Sequence, residues 1–257
     1  MDINPYLETA NKKINNRPLK TFILAIYAGV FISLAAILST VASVEITNYS
    51  IAKILSGLVF PIGLILVIFL KTELFTGNSL LIIPLLEHKI TIKELLKNWL
   101  LVYLGNLCGA LIISLLFLNT PLKELLTDSL IKIAHTKISY SLVTSLVLGF
   151  MCNFLVCTAV YLSTITKDTV GKILVIIIPI FTFIVLSLEH SVANMFYLSI
   201  GYLLDNTISV KDILLNNLLP VTIGNVLGGL ILGVTIWYLK ENNNPKNKPL
   251  EKIKNTP

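Results

Sequence analysis

Chemistry in this chain, if there is any, falls to a few ionisable side chains lodged in apolar sequence. His190 lies within an apolar run and follows Glu189, and Glu73 marks a similar interruption earlier in the chain. A histidine at membrane depth can take up or release a proton near neutrality. A neutral ring could instead satisfy carbonyls left over from a broken helix. The two carboxylates read as structural acceptors for backbone N–H groups at the helix starts beyond each break. His88 and His135 fall in the polar stretches between apolar blocks, and Cys108, Cys152 and Cys157 read as small core residues. The sequence contains no His pair at helical spacing, Cys–His cluster, Ser–His–Asp set, phosphate loop or dinucleotide fingerprint. No metal, cofactor or enzymatic activity is therefore expected.

The elements that must position these residues follow from composition. Of 257 residues, 55% are hydrophobic and 13% charged, where a soluble domain carries about a quarter charged. The mean hydropathy is +0.83. Disordered and nucleic-acid-binding classes are excluded, since the net charge of +6 is spread between apolar blocks instead of gathering on one face. Uncharged stretches cover 21–44, 54–70, 74–86, 98–122, 138–166, 173–188, 190–204 and 213–239. A bilayer core needs about 20 residues per helix, so the expectation is six transmembrane helices, with the second and fifth broken. Both termini are placed in the cytoplasm, because that choice puts 14 of the 20 Lys and Arg on the inner side and 5 on the outer. Lys71 is left in a span, where it would snorkel to the inner surface. Trp99 and Trp237 stand at span ends as interfacial anchors. Residues 1–20 are an N-terminal segment that could form an amphipathic gate, 21–239 one membrane domain, and 240–257 a basic tail.

The halves also match in letters. Gly105-Asn106-Leu107-Cys108-Gly109 resembles Gly224-Asn225-Val226-Leu227-Gly228, and Glu73 and Asn78 at the first break match Glu189 and Asn194 at the second. Three spans per half require the second copy to be inverted, giving repeats of about 21–122 and 138–239. Paired broken helices in inverted repeats mark a transport path. Gly105, Gly109, Gly224, Gly228 and Gly229 read as close-packing positions, with Asn106 and Asn225 bonding to a neighbouring helix or to a break.

The stretches Glu73–Asn78 (ELFTGN), Asn153–Cys157 (NFLVC), Glu189–Phe196 (EHSVANMF) and Leu218–Asn225 (LLPVTIGN), in this order and in these spans, resemble the formate/nitrite transporter family. The resemblance implies an all-α, aquaporin-like membrane fold, a homopentamer in the cell membrane, and one pore for small monovalent anions in each protomer. His190 is implied as the central pore histidine and Thr76 as its hydrogen-bonding threonine. Asn153 is implied as a pore-side asparagine, and Lys137 as a lysine approaching the histidine from outside. Phe60, Leu64, Leu74, Phe75 and Phe183 fall at the apolar constrictions. Formate is the leading substrate, followed closely by nitrite and hydrosulfide, with possible coupling to protons through His190. The competing neutral-solute pore of aquaporin type lacks its Asn-Pro-Ala signatures, because neither Asn78 nor Asn194 precedes a proline.

Overall fold

The computed structural model describes residues 2–242, so the tail expected from 240 onward lies almost wholly outside the described residues. All regular structure among them is helical. Five helices are long and apolar enough to cross a membrane: Pro18–Val41 (α2), Tyr49–Phe69 (α3 and α4, divided at Pro61), Ile92–Phe117 (α6), Leu142–Ile165 (α8) and Val210–Lys240. The last comprises a short α11 (Val210–Asp212), a π-turn over Ile213–Leu218 and α12 (Leu219–Asn242). The remaining apolar helices are shorter: Gly77–Leu86, which includes α5 (Ile82–Leu86), then α9 (Thr169–Val185) and α10 (Ser191–Leu204).

Several helices start on a side-chain cap. Asp168 accepts from the N–H groups of Val170 and Gly171 ahead of α9, Ser141 caps α8, and Thr91 with Glu94 forms a capping box on α6. The interruptions at 70–76 and 186–190 also have local causes. Lys71 and Ser187, 116 positions apart, both have φ of 54°. This left-handed residue ends the helix, so that Thr72 N–H donates to Val67 O and Leu188 N–H to Phe183 O, each at 3.0 Å. The backbone then runs non-helically until the next helix begins.

Two elements extend the expected layout. Residues 4–14 form helix α1 (Asn4–Ile14), whose Tyr6, Leu7 and Ala10 are buried. The polar stretch between the third and fourth spans is helix α7 (Leu122–Ser139), seated by Leu126, Leu130 and Ala134.

Polarity is inverted relative to a soluble protein. Asn106, Asn153, Asn194 and Asn225 are fully buried, while Leu100, Leu116 and Ile178 are 60–64% exposed. Such a surface suits lipid, and polar groups at this depth must be satisfied by other protein groups. Helices α2 and α6 pack backbone to backbone, as do α8 and α12. A Cβ on Gly109 would collide with the Ile26 carbonyl oxygen, and one on Gly228 with that of Phe150. The two tryptophans tie down the short segment after the first break: Trp99 Nε1 donates to Asn78 O, and Trp237 Nε1 to Glu87, both at 2.9 Å.

Candidate functional site

A buried asparagine anchors each non-helical stretch in an equivalent way. Asn106 on α6 accepts from Phe75 N–H (2.9 Å) and donates to the carbonyls of Ala25 (2.8 Å) and Glu73 (2.9 Å). Asn225 on α12 accepts from Ser191 N–H (2.8 Å) and donates to Gly149 O (2.7 Å) and Glu189 O (2.9 Å). The amide group is suited to this, since it offers two donors and an acceptor to backbone that has lost its helical partners.

The carboxylates at the breaks do something other than cap backbone. Glu73, 1% exposed, accepts from Lys13 Nζ (2.9 Å) and Asn78 Nδ2 (2.7 Å). Asn78 also donates to Asn98 and accepts from Lys13. Glu189, 2% exposed, accepts from Lys137 Nζ (2.8 Å), Asn194 Nδ2 (2.6 Å) and Asn217 Nδ2 (3.1 Å). The backbone cap of α10 falls instead to His190, the residue after Glu189. The expected N–H acceptors are therefore buried ion pairs, and burial of each charge is compensated by a lysine and at least one amide. The two clusters differ in their lysine and amide bonds, and Asn217 but not Asn98 donates to its glutamate. Lys13 reaches both the carboxylate and Asn78 Oδ1, whereas Lys137 reaches the carboxylate alone and Asn194 Oδ1 has no hydrogen-bond partner among the described residues.

Thr76 and His190, one from each break, meet at 2.8 Å between Oγ1 and Nε2. Both are buried. The histidine's roles are set locally: its Nδ1 accepts from Ala193 N–H at 3.2 Å as the N-cap of α10. An accepting Nδ1 carries no proton, so the neutral ring holds its proton on Nε2 and donates it to Thr76 Oγ1. The threonine O–H is then left to donate elsewhere. Phe183 stacks on the imidazole (centroids 5.8 Å, planes 23° apart) and meets Phe60 edge-on at 5.6 Å. Leu64 and Leu74 are buried in the same apolar core.

Asn153 and Phe75 have contacts beyond the Thr76–His190 pair. Asn153 bonds to Thr76 O and Ser79 Oγ (both 3.2 Å) and to Asn225 O (2.5 Å). With Cys157 Sγ, also on Thr76 O at 3.3 Å, it holds the first break in place from α8. Phe75 lies against Trp99 and Tyr103, with centroids at 6.2 and 4.9 Å, in a lateral apolar hollow. Leu74, the residue before it, lines a 680 Å³ chamber on the α1 side that also touches Lys13, Glu73 and Asn78.

Lys13, Asn98 and Asn217 were not foreseen. Their signal was present: Lys13 and Lys137 stand 124 positions apart, as do Ala25 and Gly149, and Asn98 and Asn217 share the 119-residue spacing of Asn106 and Asn225.

Comparison with known proteins gives the family. The family profile described as "Formate/nitrite transporter" matches residues 3–239. The chain is 34% identical over 260 residues to the formate channel FocA of Escherichia coli (strain K12), covering 90% of each. It is 34% identical over 248 residues to the formate channel BtFdhC of Bacillus thuringiensis, covering 93% of this chain and 95% of that one. Among solved structures, a "Pentameric formate channel with formate bound" superposes with TM-score 0.79 at 32% identity, covering 88% of this chain and 98% of that one. An "FNT family ion channel" gives 0.83 at 27% identity, over 93% and 99%. Helical architecture, profile and relatives agree that this multi-pass membrane protein belongs to the formate/nitrite transporter family.

Proposed function

We propose that the protein is a channel for small monovalent weak-acid anions, chiefly formate, with nitrite and hydrosulfide admitted by the same chemistry. The observation that carries this reading is the Thr76–His190 hydrogen bond at the meeting of the two breaks, walled by Phe60 and Phe183. The chain is two inverted three-helix halves, and the recurrence of Glu–Asn–Lys clusters and asparagine anchors 116 to 124 positions apart supports that arrangement. The halves extend to α1 and α7, which supply Lys13 and Lys137. Termini face the cytoplasm, and five copies assemble in the cell membrane, one pore in each. The name of the pentameric formate-bound structure supports that assembly.

An unpaired anion in a dry constriction loses solvation worth several kcal/mol or more, which apolar rings cannot return. Lys137, 13% exposed at its side chain and 5.5 Å from the Tyr197 ring centroid, is neutralised by Glu189 and offers the incoming anion a hydrogen-bond donor at the outer mouth instead of a net charge. Thr76 O–H and His190 Nε2–H then take it in place of each other. The conjugate acid, formed when the anion combines with a proton drawn from the bulk solution, crosses the apolar rings as a neutral molecule. His190 acts here as a neutral donor, because a proton on Nδ1 would set N–H against the Ala193 N–H and undo the cap of α10. Leu64 and Leu74 with Phe60 and Phe183 exclude water, while Phe75 supports the break from behind.

The test is flux into liposomes holding purified protein, with formate, nitrite, hydrosulfide and glycerol offered separately across a pH series. The proposal expects anion uptake rising as pH falls and no glycerol uptake. Glycerol passing while all three anions fail would overturn it in favour of a neutral-solute pore.

A further inference from the structure

The α1-side chamber carries more positive charge than a path for formate requires. Five lysines line it, Lys12, Lys13, Lys20, Lys71 and Lys172, against one carboxylate, Glu73. Lys13 is neutralised by that carboxylate. None of the other four forms an ion pair among the described residues. They come from four different elements: α1, the start of α2, the first break and the start of α9. The charge therefore surrounds the cavity instead of running along one helix.

We propose that this chamber is a binding site for a multivalent oxyanion of the di- or triphosphate type, which plugs the pathway from the α1 side. Size permits it: 680 Å³ has room for about twenty waters at roughly 30 Å³ each, many times a monovalent carboxylate. Charge selects it. At a potential of about 2 kT per unit charge, formate is enriched about sevenfold, and an oxyanion with four charges about three-thousandfold. A chamber of this volume is about 9 Å across, close to the Debye length of about 8 Å in physiological salt, so bulk ions screen its walls incompletely. Passage is denied to the same ligand. Thr76 and His190 are buried and do not line the chamber; on the channel reading they stand on the path that leads from it, where a multiply charged anion could not shed its water. A ligand that is concentrated here and cannot cross is a plug. Binding stands on the chamber alone, and only the block rests on the channel reading.

Sodium tripolyphosphate titrated calorimetrically into the purified protein in neutral detergent separates the two. The wild type should bind it saturably, with affinity falling steeply as salt rises. The variant carrying Lys12→Gln, Lys20→Gln, Lys71→Gln and Lys172→Gln should bind at least about tenfold more weakly, with an unchanged thermal unfolding midpoint as the check on folding. Lys71→Gln alone, which alters one wall only, should weaken binding by less. In phosphatidylcholine liposomes, tripolyphosphate sealed in the lumen should slow formate flux through the molecules whose chamber faces inward. Absence of saturable binding, or equal binding by the quadruple variant, overturns the site. Binding without slowed flux overturns the plug and leaves the site. Slowing by phosphatidic acid in the bilayer, with no binding of tripolyphosphate, would assign the chamber to a lipid headgroup and overturn the soluble ligand.

Discussion

Replacing Asn225 with alanine tests the claim that one side chain holds the histidine-bearing break. The substitution removes three hydrogen bonds at once, from Ser191 N–H and to the carbonyls of Gly149 and Glu189, at 2.7–2.9 Å. The site is fully buried, so bulk water cannot replace them. Interhelical bonds inside membranes contribute about 0.6 kcal/mol on average and about 1.7 at most, which sets the loss at about 2–5 kcal/mol. At about 2–4 °C per kcal/mol for a chain of this size, the unfolding midpoint in detergent should fall by roughly 4–20 °C. Asn106→Ala removes the equivalent three bonds at the first break and should cost about as much. Formate flux measured below both midpoints should fall in each variant, because Thr76 and His190 lose the backbone that sets their 2.8 Å approach. An Asn225→Ala protein that unfolds within about 2 °C of the wild type would refute the reasoning, since it would mean that these backbone groups find other partners freely.

Other substitutions probe the remaining parts. Gly228→Ala drives a Cβ into the Phe150 carbonyl oxygen and should cost about 1–3 kcal/mol or more in overpacking; a thermal melt unchanged from wild type would show that α8 and α12 can separate without penalty. Lys137→Ala leaves Glu189 buried without a counter-charge, a loss of about 3–5 kcal/mol. Adding Glu189→Gln should restore most of that stability, and a double variant no more stable than the single one would discount the ion pair. His190→Asn retains both an N-cap acceptor and an N–H donor, so formate flux should keep the wild-type pH dependence. A flattened pH profile would instead make the ring itself the proton carrier.

The lipid environment explains which features could be read from sequence. A helix in a bilayer must be apolar on its outer face and about 20 residues long, so the long spans are visible as uncharged runs. The breaks show up because Glu73 and Glu189 interrupt those runs. Helix α7 was hidden by its charges, although Leu126, Leu130 and Ala134 recur at the four-residue spacing of a buried stripe. The partners of the two glutamates were misjudged for a related reason. Capping logic assigns them backbone N–H groups, but Glu189 stands one residue before the true cap, His190. The side chain is then free to meet Lys137, which is distant in sequence. Local spacing also could not show that Phe75 would lie against Trp99 and Tyr103 while its neighbour Leu74 lines the chamber.

The central claim, that an anion passes by replacing the hydrogen bond between Thr76 and His190, is tested most directly by formate flux through Thr76→Val. Valine keeps the shape of threonine and removes only the hydroxyl. Losing one hydrogen bond to a charged group in a dry site costs about 1.5–3 kcal/mol, so flux should fall about tenfold or more while the thermal midpoint stays near wild type. A Thr76→Val protein that folds and conducts formate at the wild-type rate would contradict the account.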